Sequence, residues 1–508
     1  MLRKKILSLE NLKKRVSKDK AKGKKVVLCH GTFDLLHVGH IKYFNEAKTF
    51  GNKLIVTVTS DKYVNKGPNR PVFSEKYRME AIAALEAVDF VALSDNPTAI
   101  QVIKHLKPNF YCKGPDYKNY KNDTTGAIVD EIRMTKKFGG SVVYTKNITF
   151  SSSKVINSLS DAYSPKQKKI ISNIKEKYNF STIKHLVERL KNIKVLVVGE
   201  IIIDQYVFCE ALGKSGKEPV MALRDMKREQ YLGGAAAICR HLSQFCNKLS
   251  LLSMVGEKGE YLKEIKKGLP KNINFQYLKK KKSPTIVKRR FLDYISLNKV
   301  LGVYSINDDL LSKAQEKNFI KSLRKLISHH DLIIVSDYGH GLITNKVAKV
   351  ISNNSKYVAL NAQINAANIG YHTMRNYKNI DCVIINQREI QHEMRDKNNK
   401  VEILMKKLAF QQKIKNLVVT RGFDGALLYN KSMNKFNICE AFSVSAIDKV
   451  GAGDAMLSII ALFLKSGFTK ELALLAGSLA AAQSAETIGN KEAVSKTKIL
   501  KSLEHFLK

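Results

Sequence analysis

Short apolar runs alternate with helix-length segments along nearly the whole chain, and this alternation restricts the architecture more than any single motif. "KVVLCHG", "KLIVTVTSD", "FVALSD", "NFYCKG" and "SVVYTKN" form a first series; "IKVLVVGEIIID", "LIIVSDYG", "YVALNAQ", "CVIINQ" and "NLVVTRG" form a second. Between them lie stretches of helical period such as "HVGHIKYFNEAKTFG" and "SEKYRMEAIAALEAVD", the latter opened by a serine with an early acidic residue. Strands separated by helices need crossover connections, which select parallel sheets. At 508 residues the chain exceeds one ordinary core. The expectation is therefore α/β, with two doubly wound parallel-sheet domains at residues 1–160 and 183–508. Residues 161–182, "DAYSPKQKKIISNIKEKYNFST", are polar, lysine-rich and without a clear strand. They read as a linker or bridging helix, or as a peripheral helix of the first domain.

Composition narrows the function classes. The seven cysteines are scattered and no CxxC pair occurs, which argues against a disulfide framework or zinc knuckle and fits a reducing cytoplasm. The N-terminus is charged throughout, unlike a signal peptide, and "LSIIALFL" is too short to span a bilayer, so no membrane role is expected. The formal net charge of +42 raises the question of nucleic acid. The lysines, however, are spread along the chain rather than interleaved with aromatics, and there is no tryptophan for stacking. Phosphorylated small molecules are the simpler anionic partner.

"GTFDLLHVGH" follows the first strand directly. The ligand crevice of an open α/β sheet lies beyond the carboxyl ends of its strands, so His37 and His40 stand near the start of the next helix. Gly39 permits close approach of a ligand, and helix amides favour phosphate. Two imidazoles there can stabilise charge on a triphosphate attacked at its α-phosphorus. A zinc site is the weaker reading, because the spacing is i, i+3 with no third ligand.

With "AK" (Ala47, Lys48), "SDKYVNKGPNRPVFSEKYRMEAIAALEAVD", "YCKGPDY" and "TFSSSKVIN", this string resembles the cytidylyltransferase-like nucleotidyltransferases over about residues 24–160. The resemblance implies that His37 and His40 act on the α-phosphate and that Lys48 neutralises triphosphate charge. It implies that Gly31, Thr32, Phe33, Arg78, Lys113, Ser151, Ser152 and Ser153 bind the nucleotide. "KGPDY" is similar to the segment of heptose-1-phosphate adenylyltransferases. Glycerol-phosphate and choline-phosphate enzymes carry a tryptophan motif that this chain lacks. A polyol-phosphate cytidylyltransferase stays open as an alternative, and so does the choice between ATP and CTP.

A second phosphate-directed motif is "GAGDAMLSIIALFLKSG". Gly451, Ala452 and Gly453 can expose successive amides at a helix N-terminus, and Asp454 could accept the proton of an attacking hydroxyl. A plain small-residue helix cap is the alternative. Together with "VLVVGEIIIDQY", "YLGGAAAICRHL", "VSDYGHG", "INQREI" and "VVTRGFDGALLY", the motif resembles the ribokinase-like sugar kinases over roughly residues 183–505. That resemblance implies Asp454 as base, with Gly451, Ala452 and Gly453 as anion hole. It implies Asp204, Gly233, Gly234 and Asp337 at the sugar, and Thr420, Arg421 and Gly422 at ATP. Asn386 and Glu389, an NxxE pair, would act near phosphates and Mg²⁺, with Glu389 the one candidate metal contact. "TIVKRRFLDY" and "KVLGVYSIND" read as strands of a small β lid, which in this family often mediates homodimers. Three positions depart from the heptose-phosphate kinases: "NAQ" (Asn361–Gln363) for "DPK", His340 for a lysine, and Ala237 for an asparagine.

The whole resembles bifunctional heptose kinase/adenylyltransferases with the domain order inverted. It implies Mg²⁺-dependent synthesis of a nucleotide-activated sugar, by ATP-dependent phosphorylation and by nucleotidyl transfer that releases pyrophosphate. The competing reading makes the second domain only a sugar-binding or dimerising module. In the heptose enzymes a phosphatase acts between the two steps, and nothing in this sequence looks like one.

Overall fold

The computed structural model describes residues 4–64, 70–118, 123, 126–146, 164–354, 356–442 and 446–507. The chain divides into two compact units, residues 1–164 with 497–508, and residues 165–496. The stretch 161–182, expected as a linker or bridging segment, contains the helix Pro165–Lys175 and the start of the helix Phe180–Arg189, both in the second unit. Ile170, Ile171 and Ile174 give the first of these a buried apolar stripe, which a solvated linker would not carry. The last helix, Lys496–Leu507, was expected with the second domain, yet from Thr497 onward it groups with the first unit.

In the first unit, β1 (Val26–Gly31), β2 (Lys53–Thr59), β3 (Phe90–Ser94), β4 (Phe110–Lys113) and β5 (Ser141–Tyr144) form an all-parallel sheet in the order β3-β2-β1-β4-β5. Their side chains alternate between two apolar layers, as the period of two requires. Val27, Cys29, Val56 and Cys112 pack with Phe44 and Ile82, which come from the helices Val38–Thr49 and Glu75–Ala83. Val26, Leu28, Ile55 and Tyr111 pack with Leu12, Val16 and Val102 of the helices Leu9–Ala21 and Ile100–Leu106. The helix Leu9–Ala21 went unrecognised in the sequence because its lysines mask a stripe of only two buried apolar residues. Winding reverses between β1 and β4, and "GTFDLLHVGH" and "KGPDY" leave those two strands at the resulting crevice.

The strands of the second unit are β6 (Lys194–Gly199), β7 (Ile201–Lys214), β8 (Met221–Gly234), β9 (Lys248–Gly256), β10 (Ile273–Lys280), β11 (Val287–Asp293), β12 (Lys299–Ser305), β13 (Leu332–Asp337), β14 (Tyr357–Ala362), β15 (Cys382–Asn386), β16 (Asn416–Thr420), β17 (Ala426–Asn430) and β18 (Lys435–Cys439). The large sheet runs β10-β9-β6-β13-β14-β15-β16-β17-β18, parallel from β10 to β16 and antiparallel at β17 and β18. The remaining four strands make a separate sheet, β12-β11-β7-β8, which includes both expected lid strands. "IKVLVVGEIIID" is thus not one strand. It breaks at Glu200, whose buried carboxylate accepts the backbone N–H groups of Tyr338, His340 and Leu342, and β7 then departs into the lid. Winding reverses between β6 and β13, so the residues following β6 and β13 flank this crevice as well.

Candidate functional sites

In the first unit His37 is the N-cap of the helix Val38–Thr49. Its Nδ1 accepts the Gly39 N–H at 3.0 Å. A neutral imidazole that accepts at Nδ1 must carry its proton on Nε2. His40 lies one turn on and stacks against it, with ring centroids 4.0 Å apart. Phe33, at the strained φ of 48°, presses its ring edge-on to His40. Both histidines are half-buried. Lys113 ends β4, pinned by Glu131 at 3.3 Å, and its ammonium with burial pushes the neighbouring His30 down to about 4. His37, His40, Gly31, Thr32, Phe33 and Lys113 therefore share the carboxyl ends of β1 and β4. Ser151, Ser152 and Ser153 lie outside the described residues.

Two expected cations belong elsewhere. Lys48 is in the last turn of its helix, about 16 Å along the axis from His37 at 1.5 Å per residue. There it pairs with Asp89 and donates to Asn52 O at 2.8 Å, at the amino ends of β2 and β3 and away from the crevice. The Arg78 guanidinium is fully buried and donates to Phe73 O (2.9 Å), Thr32 O (2.5 Å), Thr59 O (2.8 Å) and Asp61 (2.6 Å). It braces the "GTFD" turn from beneath instead of facing a ligand. Arg78→Met is expected to cost about 3–5 kcal/mol by stranding these buried acceptors, read as a lower urea midpoint. An unchanged midpoint with lost nucleotide binding would return Arg78 to a ligand role.

The second unit encloses a cavity of about 610 Å³, the size of a small-molecule site. One end is built by the lid. Asp204 of β7 and Arg290 of β11 form a buried ion pair, and Lys288, two residues before Arg290 and on the same strand face, lines the cavity with them. Gly233 is required here: a Cβ would fall 2.1 Å from Asp204 Oδ2. Gly234, at φ 59°, also lines the cavity. Neither Lys288 nor Arg290 was picked out in the sequence, although "KRR" in a strand places Lys288 and Arg290 on one face. Asp337 does not reach the cavity: it accepts the Tyr377 hydroxyl (2.6 Å) and the Gly339 N–H (3.0 Å) and is buried beneath. His340 is buried too. Its Nδ1 bonds Asp308 at 2.7 Å, while burial and the Lys288 charge hold it well below the usual histidine range, hence neutral. Ala237 is wholly buried in its helix.

At the cavity's middle the helix Ala452–Lys465 begins. Gly451, its N-cap, has φ 89°, and the first N–H with an in-helix acceptor is that of Ala455, on Gly451 O. Gly451, Ala452 and Gly453 line the cavity, and the Ala452 N–H reaches back to Lys449 O at 3.4 Å; first-turn amides have no acceptor within the helix. Asp454 stands in that turn. Burial, then the Asp204 charge, raise its carboxyl to about 7, against the opposing hydrogen bond from the Tyr338 hydroxyl and the Lys288 charge. Beyond lie Thr420 and Gly422 with an apolar wall of Phe423, Ala441, Phe442 and Met456. Arg421 turns aside to Asp424 O. Asn361 and Gln363 line the cavity as neutral amides, with Asn361 Nδ2 on Ile384 O.

The NxxE pair has a structural job. Asn386 caps the helix Gln387–Met394 by accepting the Glu389 N–H, and the Glu389 carboxylate accepts the Asn386 N–H at 2.7 Å, a capping box. Burial pushes Glu389 up to about 7. Both residues still line the cavity. Among the described residues no three metal-ligating side chains converge.

Residues 192–497 match the model of the pfkB family carbohydrate kinases. The chain belongs to that family. Ahead of this pfkB region, residues 28–158 match the cytidylyltransferase-like family, so this pfkB chain carries a cytidylyltransferase-like domain at its N-terminal side. The bifunctional protein HldE of Geobacter metallireducens is 36% identical over 165 residues, 31% of this chain and 32% of its own length. That of Sulfurimonas denitrificans is 47% identical over 115 residues, 22% of this chain and 24% of its own. These alignments thus span about a third or less of the curated relatives. Phosphofructokinase-2 from Escherichia coli superposes with a TM-score of 0.50 at 14% identity, covering 61% of this chain and 99% of that one. A putative ribokinase from Agrobacterium tumefaciens does so with 0.50 at 16%, covering 61% and 97%. These solved structures share the fold of the pfkB region. No helix among the described residues is long and apolar enough to cross a membrane.

Proposed function

We propose that this chain is a bifunctional enzyme of nucleotide-activated sugar synthesis, combining a sugar kinase with a sugar-phosphate nucleotidyltransferase. The observation that carries the kinase half is Asp454, a half-buried carboxylate in the first turn of a helix whose N-terminal residues Gly451, Ala452 and Gly453 line the same cavity. In the kinase step Asp454 takes the proton of an acceptor hydroxyl, whose oxygen attacks the γ-phosphorus of ATP as ADP leaves. The amides at Gly451, Ala452 and Gly453 hold the transferred phosphoryl oxygens. Bound with ATP, Mg²⁺ would neutralise phosphate charge, with Glu389 the residue of this chain that would approach it. Asp204 accepts from sugar hydroxyls, while Lys288 and Arg290 favour an acceptor that carries anionic charge. Thr420, Gly422 and the apolar wall take the nucleotide.

In the transferase step a sugar-phosphate oxygen attacks the α-phosphorus of ATP or CTP and pyrophosphate leaves. The His37 and His40 rings stabilise the charge on the α-phosphate, with Lys113 at the end of the neighbouring strand β4. The reading of the second unit as only a sugar-binding or dimerising module is disfavoured by Asp454 and Gly451, Ala452 and Gly453 together lining the cavity. The lid supports a homodimer: Val300, Leu301 and Val303 of β12 and Met221 of β8 are exposed apolar residues on one small sheet. The cytoplasm is the compartment proposed, because all seven cysteines are free and buried.

An acceptor screen with ATP and CTP, following pyrophosphate and ADP separately, tests both halves. Release of neither product from any sugar or sugar phosphate would end the proposal. In the same assay Gly233→Ala should displace Asp204 from Arg290. A displaced Asp204 no longer makes its charged hydrogen bond to an acceptor hydroxyl, about 1.5–3 kcal/mol, which corresponds to roughly a tenfold to hundredfold weaker acceptor binding, with ATP binding retained. Titration calorimetry of each ligand checks it, and equal weakening of ATP would contradict the assignment of this end to the acceptor.

A further inference from the structure

Tyr338 ties the end of β13 to the first turn of the helix Ala452–Lys465. Its hydroxyl donates to Asp454 Oδ1 at 2.8 Å. The backbone on which this side chain stands is held on both sides. The backbone N–H of Tyr338 is held by Glu200 Oε2 at 2.8 Å, and its carbonyl accepts the side-chain amides of Asn365 and Asn368, each at 2.8 Å. The ring is buried, and the Lys288 ammonium lies 5.4 Å from its centre.

We infer that Tyr338 is a positioning residue for the phosphoryl-transfer base: its hydroxyl fixes one oxygen of the Asp454 carboxylate and leaves the other to receive the acceptor's proton. The inference rests on the reading of Asp454 as that base. A carboxylate without such a bond turns about its Cβ–Cγ bond, whereas the hydrogen bond to one oxygen fixes the plane of the group and with it the placement of the other oxygen at the cavity. The charged and titratable groups facing this pair are Asp204 on β7, Lys288 and Arg290 on β11, and Glu200 beneath Tyr338. Asp204 and burial oppose ionisation of Asp454, whereas the Tyr338 hydroxyl and Lys288 favour it. Removing the hydroxyl therefore deletes one of two supports for the charged form.

The test is a pH titration of the Asp454 carboxyl in the full chain by infrared difference spectroscopy, its band assigned by its absence in Asp454→Asn. In Tyr338→Phe the band should titrate about one to two pH units higher, the equivalent of one hydrogen bond to a charged group. With 3-fluorotyrosine placed at position 338, a stronger donor of unchanged shape, it should titrate lower than in the wild type; this second protein keeps the test open if the phenylalanine variant does not fold. In phosphotransfer assays the acid limb of kcat should move with the band, with kcat falling more than KM rises. A band that titrates at the same pH in all of these proteins would overturn the inference. The titration reads the hydrogen bond and the acceptor screen reads the base, so the two fail separately.

Discussion

Asp454→Asn should reduce sugar-dependent ADP formation at least about a hundredfold, the usual worth of a positioned general base, while pyrophosphate release by the first unit is unchanged. The amide keeps the size of the carboxylate and can still accept from Tyr338, so the fold and the ATP site persist and only the proton acceptor is lost. The wild-type pH profile carries the same signature. The base works in its ionised form and is held up to about 7. The rate should therefore climb roughly tenfold per pH unit from below and level off above about 7, whereas an ordinary aspartate would already be flat at pH 5. A flat wild-type profile between pH 5 and 8, or an Asn variant within a few fold of the wild type, would exclude Asp454 as the base.

His40→Ala should cut pyrophosphate release by about a hundredfold to a thousandfold, the effect of removing one charge-stabilising donor at a phosphoryl or acyl centre, with ADP formation untouched. His40 is half-buried and stacked on His37, so its loss removes a donor and also frees the partner ring. His37→Gln separates these contributions, because an amide oxygen can still accept the Gly39 N–H while the imidazole donor is gone. Pyrophosphate release at the wild-type rate in His40→Ala would place the chemistry of the first unit elsewhere.

These two expectations involve residues that the sequence made visible for a local reason. His37 and His40 belong to a strand-to-helix turn, and Asp454 to a glycine-rich helix start; in both cases a few consecutive residues determine the backbone that presents the group. The expectation failed where a side chain's partner is distant in sequence. Lys48 and Asp89 are 41 residues apart, and the amino ends of β2 and β3 bring them together. Arg78 meets Thr32 across 46 residues. Both were read as cations awaiting a phosphate because their neutralising partners are not adjacent in the chain. Lys288 and Arg290 are the converse: their neighbours in sequence mark a plain basic strand, and only pairing of β11 beside β7 sets them against Asp204.

The pair Asn386 and Glu389 shows that one spacing can serve two ends. An i, i+3 Asn and Glu at a helix start satisfies the capping geometry whether or not a phosphate is near, and burial against the cavity then raises the Glu389 carboxyl. What the sequence by itself determined is the alternation that makes two parallel α/β sheets and the glycine-rich turns that present His37, His40 and Asp454, because hydrophobic period and backbone freedom are local properties. What only the tertiary structure decided is which charges face a ligand and which are neutralised within the fold, and that the helix after residue 496 groups with the first unit. Those outcomes depend on low-dielectric burial and on strand order, which join residues that the chain keeps far apart.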